Sequence, residues 1–287
     1  MSDLRRDAEA FSRTVEALGP YLPELVFIGG WAHFLFTLRP EATALPFIPL
    51  TTLDVDVAAP LRLAPREPSI AQLLDSAGFE QSLSGDSVPP VSRYTLANEA
   101  PGFYVEFLTP LVGGEVKRGG RQEVTATVGG VTAQTLRHID VLLTEPWRVT
   151  LAPEVGFAVA RPTVVQVPSP AAYIVQKVLV LARRMPAKRG KDLLYLHDTF
   201  SVFTDALPLV REAWNLLKPR MVPGHVRTFE KSAHGLVSRM SDTVRDAARI
   251  AADRPRPPTP EILLAVLRLG FAGAFDIRPA EDDRKVG

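Results

Sequence analysis

Residues 52–57 read Thr-Leu-Asp-Val-Asp-Val, and this stretch decides the fold. Apolar and acidic side chains alternate with a period of two, which predicts a half-buried β-strand over residues 53–58. Asp54 and Asp56 are therefore expected to leave the same face of that strand. Two carboxylates held so close repel each other unless a cation lies between them. Mg²⁺ suits this position, because it prefers oxygen ligands and is typically held by one or two carboxylates together with substrate phosphates.

A pair of glycines lies upstream of this strand. Residues 25–28 read Leu-Val-Phe-Ile, an apolar run typical of a buried strand, and Gly29 and Gly30 separate it from a predicted helix over 31–38. Glycines here let the backbone approach a phosphate, and a helix N-terminus offers N–H groups to receive it. Taken alone, a Gly-Gly pair is more often a tight turn and an Asp-x-Asp pair a solvated strand edge. Together they predict a phosphate cradle facing a metal site.

A third acid interrupts a later apolar strand. Residues 103–108 read Phe-Tyr-Val-Glu-Phe-Leu, so alternation places Tyr104, Glu106 and Leu108 on one face. A carboxylate flanked by so much apolar surface needs a cation or a hydrogen-bond donor as a partner. Glu106 is thus either a third acid of the same site or an exposed edge position, and the sequence favours neither reading.

The pattern of the chain changes near residue 167. Strand and helix signals are interspersed before it, with a hairpin signal at 129–130, and from residue 168 onward the periodicity is helical. This organisation predicts an α+β protein, with a mixed sheet and helices over 1–167 and a helical bundle over 168–287. The predicted helices of the second part cover 170–185, 191–203, 206–217, 225–252 and 260–271.

The composition is typical of a folded globular protein and excludes several other classes. A chain of 287 residues with 46% hydrophobic and 23% charged residues can form a substantial folded core. The formal net charge of +1 gives no global reason to bind nucleic acid, so such binding would need a local patch. The absence of cysteine excludes disulfides and thiolate chemistry. With neither a secretory h-region nor an apolar membrane span, the sequence predicts a cytoplasmic protein without a membrane partner.

The glycine turn and the aspartate strand resemble the nucleotidyltransferase superfamily, which has the DNA polymerase β-like fold. Within it the sequence is most similar to the AbiEii/MenA-type toxin nucleotidyltransferases, which carry a Gly-Gly or Gly-Ser turn, a Thr-x-Asp-x-Asp strand and a later Lys-Asp in a helical half. Lys177, in Tyr-Ile-Val-Gln-Lys, and Lys191-Asp192, in Arg-Gly-Lys-Asp-Leu-Leu, resemble that later signature. Tyr195 stands where this family often has a second aspartate.

The resemblance implies transfer of a nucleoside monophosphate from a nucleoside triphosphate (NTP) to an acceptor. Two Mg²⁺ ions would be held by Asp54 and Asp56, with Glu106 sharing the ion that activates the acceptor hydroxyl, and two such ions clamp the attacking and leaving oxygens. Lys177 and Lys191 would neutralise the triphosphate, and Asp192 would orient one of these two lysines. The implied catalytic residues are Asp54, Asp56, Glu106, Lys191 and Asp192, and the first three are the implied metal ligands.

Four further residues are implied contacts of the nucleotide, namely Gly29, Gly30, Lys177 and Arg189. Lys177 taken alone is more often a lysine that snorkels from an amphipathic helix. Arg189 belongs to a basic run over 183–191, which either meets a triphosphate or an RNA backbone or is a solvated loop between helices.

The acceptor and the partners stay open at this point. A toxin of this type would modify RNA, such as tRNA, or a protein, and would have an antitoxin protein as its partner. The alternatives are a small-molecule nucleotidyltransferase of the aminoglycoside-modifying kind and a non-catalytic fold used for nucleotide sensing or protein binding. The identity of the acceptor distinguishes the two enzymes, and nucleotide binding without turnover would indicate the third.

Overall fold

The computed structural model describes residues 2–47, 52–85, 89–96, 99–113 and 124–279. The sequence pattern also predicts a strand over residues 123–128, and residue 123 lies outside these ranges. The chain divides into two compact units. The sheet unit comprises residues 1–39 and 51–169, and the helical unit comprises residues 40–50 and 170–287.

The sheet unit contains a seven-stranded mixed sheet. Its strand order is β1-β2-β5-β4-β3, with β7 pairing both β5 and β6. Strand β5 runs parallel to β2 and β7, and the remaining neighbours are antiparallel. A separate two-stranded antiparallel sheet is formed by β8 and β9. The strands are β1 (Val26–Ile28), β2 (Asp54–Ala58), β3 (Glu80–Ser84), β4 (Val91–Thr95), β5 (Tyr104–Pro110), β6 (Thr125–Val128), β7 (Val131–Leu136), β8 (Trp147–Leu151) and β9 (Thr163–Val167).

Aromatic packing fixes the first helices of this unit against β1. In the described part of this unit the α-helices are α1 (Ser2–Ala17), α2 (Gly29–Leu35), α3 (Ile70–Ser76) and α4 (Ile139–Leu142). Phe11 of α1 stacks on Trp31 of α2, with ring centroids 4.1 Å apart, and meets Phe27 of β1 edge-on at 5.1 Å. Helix α2 begins at the glycine pair itself, two residues earlier than predicted. The aromatic contacts hold its first turn against the sheet.

The described residues of the helical unit form six α-helices. They are α5 (Pro170–Leu181), α6 (Pro186–Val202), α7 (Leu207–Leu217), α8 (Pro223–Ser238), α9 (Asp242–Ile250) and α10 (Pro260–Phe275). The core between α6 and α10 is tight, because a Cβ added at Gly270 would lie 2.2 Å from the ring of Phe200. The α+β fold class predicted from the sequence is confirmed. Within the described ranges no helix has the length and apolar character needed to cross a membrane.

Two helix predictions are corrected by the structure. The single helix predicted over 225–252 is two helices, because the backbone is extended at Arg239 and the side chain of Ser241 accepts a hydrogen bond from the N–H of Val244 to start α9. The helix predicted from 191 begins at Pro186, since proline is well suited to a first helical turn. Lys191 and Asp192 consequently lie inside α6 rather than at its start.

Candidate active site

The three predicted acids lie on neighbouring strands of the sheet unit. Strands β2 and β5 are parallel and in register, with Asp54 opposite Tyr104 and Asp56 opposite Glu106. Neighbouring strands are about 4.8 Å apart, and residues paired in this way share one face. The alternate residues of β2, Val55 and Val57, are fully buried, whereas the two aspartates are half-buried. The sheet thus gathers Asp54, Asp56, Glu106 and Tyr104 on one partly accessible surface, called the acid face below.

The glycine turn packs directly against the acid face. Gly29 has a φ of +66°, and a Cβ added to it would lie 2.3 Å from Oδ2 of Asp56. A Cβ added to Gly30 would lie 2.4 Å from Oγ1 of Thr52 and 3.0 Å from its backbone nitrogen. The space beside the turn is therefore filled by the aspartate strand. A side chain at either position would displace Asp56 or Thr52, and the positive φ of Gly29 further favours glycine there.

The carboxylate of Glu106 is held by an arginine on the next strand. Arg93 lies opposite Glu106 in the antiparallel register of β4 and β5. Its Nε donates to Oε1 of Glu106 at 2.7 Å, and its Nη2 donates to the same oxygen. The guanidinium carbon also lies 4.2 Å from the ring centroid of Tyr104. Sequence reasoning missed Arg93, because only the strand register connects it with an acid 13 residues away.

The acid face fits a divalent cation on two of its three carboxylates. Asp54 and Asp56 offer what Mg²⁺ usually takes from a protein when substrate phosphates complete its coordination. Across the described part of the chain, no three His, Cys, Asp or Glu side chains are placed to hold a metal ion. Glu106 is engaged by Arg93 and does not complete a three-acid group in this arrangement. The metal roles of Asp54, Asp56 and Glu106 stay predictions.

The pKa of the Tyr104 phenol reflects the charges of the acid face. Burial is the largest cause that raises the pKa of its phenol, and the charges of Asp54 and Glu106, followed by that of Asp56, raise it further. Arg93 acts in the opposite direction and lowers the pKa. At neutral pH the phenol is therefore protonated and available as a hydrogen-bond donor beside the carboxylates.

A second polar cluster, here called the lysine cluster, lies within the helical unit. Nζ of Lys177 is 3.0 Å from Oδ1 of Asp192, and Nε of Arg184 is 3.0 Å from Oδ2 of the same carboxylate. The ammonium also lies 4.6 Å from the ring centroid of Tyr195 and 5.5 Å from that of Tyr173. Lys177 is only 7% exposed, so it is a fixed, paired charge and not a snorkelling lysine.

A family model described as nucleotidyltransferase matches residues 6–217, well over half of the chain. The chain belongs to this nucleotidyltransferase family. The matched region contains both the acid face and the lysine cluster, and the resemblance drawn from the sequence is confirmed at the level of the superfamily. No curated protein gives a significant match to the chain.

Two solved structures are similar to this nucleotidyltransferase. One is an antigenic nucleotidyltransferase-like protein from Paracoccidioides brasiliensis, with 16% identity, a TM-score of 0.35, and coverage of 80% of this chain and 93% of the other. The second is the nucleotidyltransferase toxin MenT4 from Mycobacterium tuberculosis H37Rv, with 18% identity, a TM-score of 0.39, and coverage of 94% of this chain and 83% of the other. At these scores neither similarity bears on the activity of this chain.

Two basic residues predicted to contact the nucleotide, Arg189 and Lys191, make contacts within the helical unit of this nucleotidyltransferase. Arg189 donates from Nε to the carbonyl of Arg184 at 3.1 Å and from Nη2 to the carbonyl of Ala182 at 3.3 Å, so it secures the chain that follows α5. Lys191 is half-buried on α6, with Nζ 5.8 Å from the ring centroid of Tyr195. Their contacts with a nucleotide stay predictions.

A buried ion pair anchors residues 40–47 within the helical unit. Asp198, fully buried on α6, accepts a hydrogen bond from Nη1 of Arg254 at 2.7 Å, and Nη2 of Arg254 donates to its other oxygen. The guanidinium carbon of Arg254 lies 4.3 Å from the ring centroid of Phe47. The N–H of Thr43 adds a hydrogen bond of 2.7 Å to the carbonyl of Val202. Asp198 therefore stabilises the helical unit.

Proposed function

We propose that this chain transfers a nucleoside monophosphate from an NTP to a hydroxyl group of its acceptor, with a divalent metal ion held by Asp54 and Asp56. The observation that carries the proposal is the packing of the glycine turn against Asp56, on the strand that bears both carboxylates. This contact holds one carboxylate of the acid face beside the turn, and Gly29 occupies a position where the family signature also has glycine.

The reaction is an in-line displacement at the α-phosphorus of the NTP. A bond forms between the acceptor oxygen and the α-phosphorus, and the bond from that phosphorus to the β-bridging oxygen breaks, so that pyrophosphate leaves and the acceptor proton passes to solvent. A divalent ion held by Asp54 and Asp56 would supply Lewis-acid stabilisation of the charge on the transferring phosphoryl group. Catalysis of this type depends chiefly on positioning and electrostatics rather than on covalent chemistry by the protein.

The residues of the chain have separate roles in this proposal. Asp54 and Asp56 hold the ion, and Gly29 keeps the carboxylate of Asp56 in one position. Tyr104 offers a neutral phenol as a hydrogen-bond donor on the same face. Within the helical unit, Asp192 and two tyrosine rings hold the ammonium of Lys177 in place.

We propose RNA as the acceptor and an antitoxin-controlled toxin as the biological role. Exposed basic residues support an RNA acceptor, since Arg183 and Lys188 lie at the surface around the start of α6 and positive charge attracts a phosphate backbone. The toxin role follows the likeness of the sequence to toxin nucleotidyltransferases. It predicts that expression of the chain arrests growth, that Asp54→Asn abolishes the arrest, and that a co-expressed antitoxin relieves it. An arrest that persists in Asp54→Asn would contradict this role.

A transfer assay tests the proposed activity. The chain is incubated with Mg²⁺, each of the four α-labelled NTPs and total cellular RNA, and label in the RNA and protein fractions is counted. Asp54→Asn and Asp56→Asn should each lower incorporation by at least about 100-fold, because they remove groups that act on the transition state. Glu80→Gln is the matched control, since Glu80 is an exposed acid on edge strand β3 of the same sheet.

The outcome also identifies the acceptor. Label in RNA supports the proposal in full, whereas label only in protein, or only on an added aminoglycoside, would replace RNA with that acceptor. Absence of transfer by the wild type, or equal transfer by the wild type and both aspartate variants, would contradict the proposed activity.

A further inference from the structure

We infer that Arg93 is the resident counter-ion of Glu106, so that the acid face binds a single divalent cation, on Asp54 and Asp56. This inference rests on the proposed function and makes it more specific. The two-ion site implied by the sequence resemblance assigns Glu106 to a metal ion. The structure gives that carboxylate to an arginine of the adjacent strand.

Three features of the structure hold Arg93 against Glu106. The antiparallel register of β4 and β5 places the two residues directly opposite each other. Two guanidinium nitrogens, Nε and Nη2, donate to one carboxylate oxygen. The guanidinium carbon lies 4.2 Å from the ring centroid of Tyr104, so the aromatic ring also packs against Arg93. A charge-assisted hydrogen bond held in this way is stronger than a neutral one.

Burial makes this ion pair difficult to separate. The side chain of Glu106 is only 16% exposed and that of Arg93 is 34% exposed. For Glu106 to ligate a metal ion, its hydrogen bonds to Arg93 would have to break. A partly buried guanidinium would then stand unpaired beside a divalent cation of the same sign, which is unfavourable in a region of low dielectric.

The charge of the acid face agrees with this assignment. Arg93 neutralises Glu106, and the pair adds no net charge to the surface that it shares with Asp54 and Asp56. The two remaining carboxylates balance one divalent cation, whose other ligands come from the triphosphate. A second ion on the acid face would reach the carboxylate of Glu106 only in competition with Arg93.

A neutral replacement of the whole pair tests the inference. Glu106→Gln alone is a poor probe, because it leaves the charge of Arg93 unpaired and weakens cation binding by repulsion whether or not Glu106 is a ligand. Arg93→Gln combined with Glu106→Gln removes both charges at once. The readout is Mn²⁺ bound per chain, measured by electron paramagnetic resonance with a non-hydrolysable α,β-methylene NTP analogue and a protein-free blank, so no turnover is needed.

We expect the wild type to bind one Mn²⁺ per chain and the double variant to bind one as well. Loss of even an outer-shell partner costs about 10- to 100-fold in metal affinity, so a change within about threefold shows that Glu106 is not a ligand. Arg93→Gln alone frees Glu106 next to Asp56 and should add a second Mn²⁺. If the double variant melts below the assay temperature, Arg93→Leu with Glu106→Met replaces the pair by apolar side chains for the same measurement.

Two ions in the wild type and one in the double variant would overturn the inference, and so would binding at least about tenfold weaker in the double variant. Asp54→Asn distinguishes a failure of the inference about Glu106 from a failure of the proposed function. Binding that Asp54→Asn abolishes and the double variant weakens contradicts the inference alone. Binding that Asp54→Asn leaves unchanged contradicts the proposed function as well.

Discussion

Replacement of Gly29 by alanine should damage the active site more than the fold. The backbone there has a φ of +66°, a region that costs a residue with a side chain roughly 1–2 kcal/mol. The new Cβ would stand 2.3 Å from Oδ2 of Asp56, and ordinary contact begins at 3.4 Å. The carboxylate must therefore retreat by roughly 1 Å, and a misplacement of that size can lower a rate about 100-fold.

A matched glycine isolates the effect of displacing Asp56. Gly156, in the same unit, has a φ of +92° and no heavy atom within 4 Å of an added Cβ. Gly156→Ala should thus incur a similar backbone cost and keep the wild-type rate. Thermal melting and initial rates of label transfer, measured for both variants over a range of NTP concentrations, check this. Equal activity of the two variants, at equal melting temperatures, would refute the argument that the turn positions Asp56.

The remaining predictions concern two buried ion pairs and one phenol. Asp192→Asn and Asp198→Asn should each lower the free energy of unfolding, measured by chemical denaturation, by about 3–5 kcal/mol. Each substitution removes the carboxylate that pairs with a buried cation, Lys177 in the first case and Arg254 in the second. Asp242→Asn should cost less than about 1 kcal/mol, since its ion pair is exposed, and equal losses in all three variants would contradict this. The pKa of Tyr104 is raised, so stability from its neutral phenol is present below pH 10 and is lost as pH rises through the folded-state pKa. Phenolate absorbance should show a lower Tyr104 pKa in Asp54→Asn, and an unchanged pKa would show that this carboxylate is not close to the phenol.

The strands of the acid face could be predicted because their signals are local. The alternation of β2 places Val55 and Val57 in the core and the aspartates on the other face, and this holds in the structure. The same period identified the face of Glu106 in β5. The sequence could not distinguish an exposed edge from a third acid for Glu106, because its partner is set by strand register.

Features that depend on distant residues were missed for a physical reason. The pairing of Arg93 with Glu106 follows from the order of β4 and β5, which no short window of sequence contains. The break between α8 and α9 lacks glycine and proline, although Ser241 is a recognisable N-cap residue. The segment at 40–47 is held by Thr43 and Phe47 through contacts with residues 202 and 254, so its place in the helical unit could not be read locally.

The anomalous scattering of Mn²⁺ in a crystal grown with a non-hydrolysable NTP analogue tests the central claim most directly. The account predicts an anomalous peak within coordination distance of the carboxylates of both Asp54 and Asp56 and of the analogue's phosphates. An analogue bound elsewhere on the chain, with both carboxylates turned to solvent and no peak beside them, would contradict it.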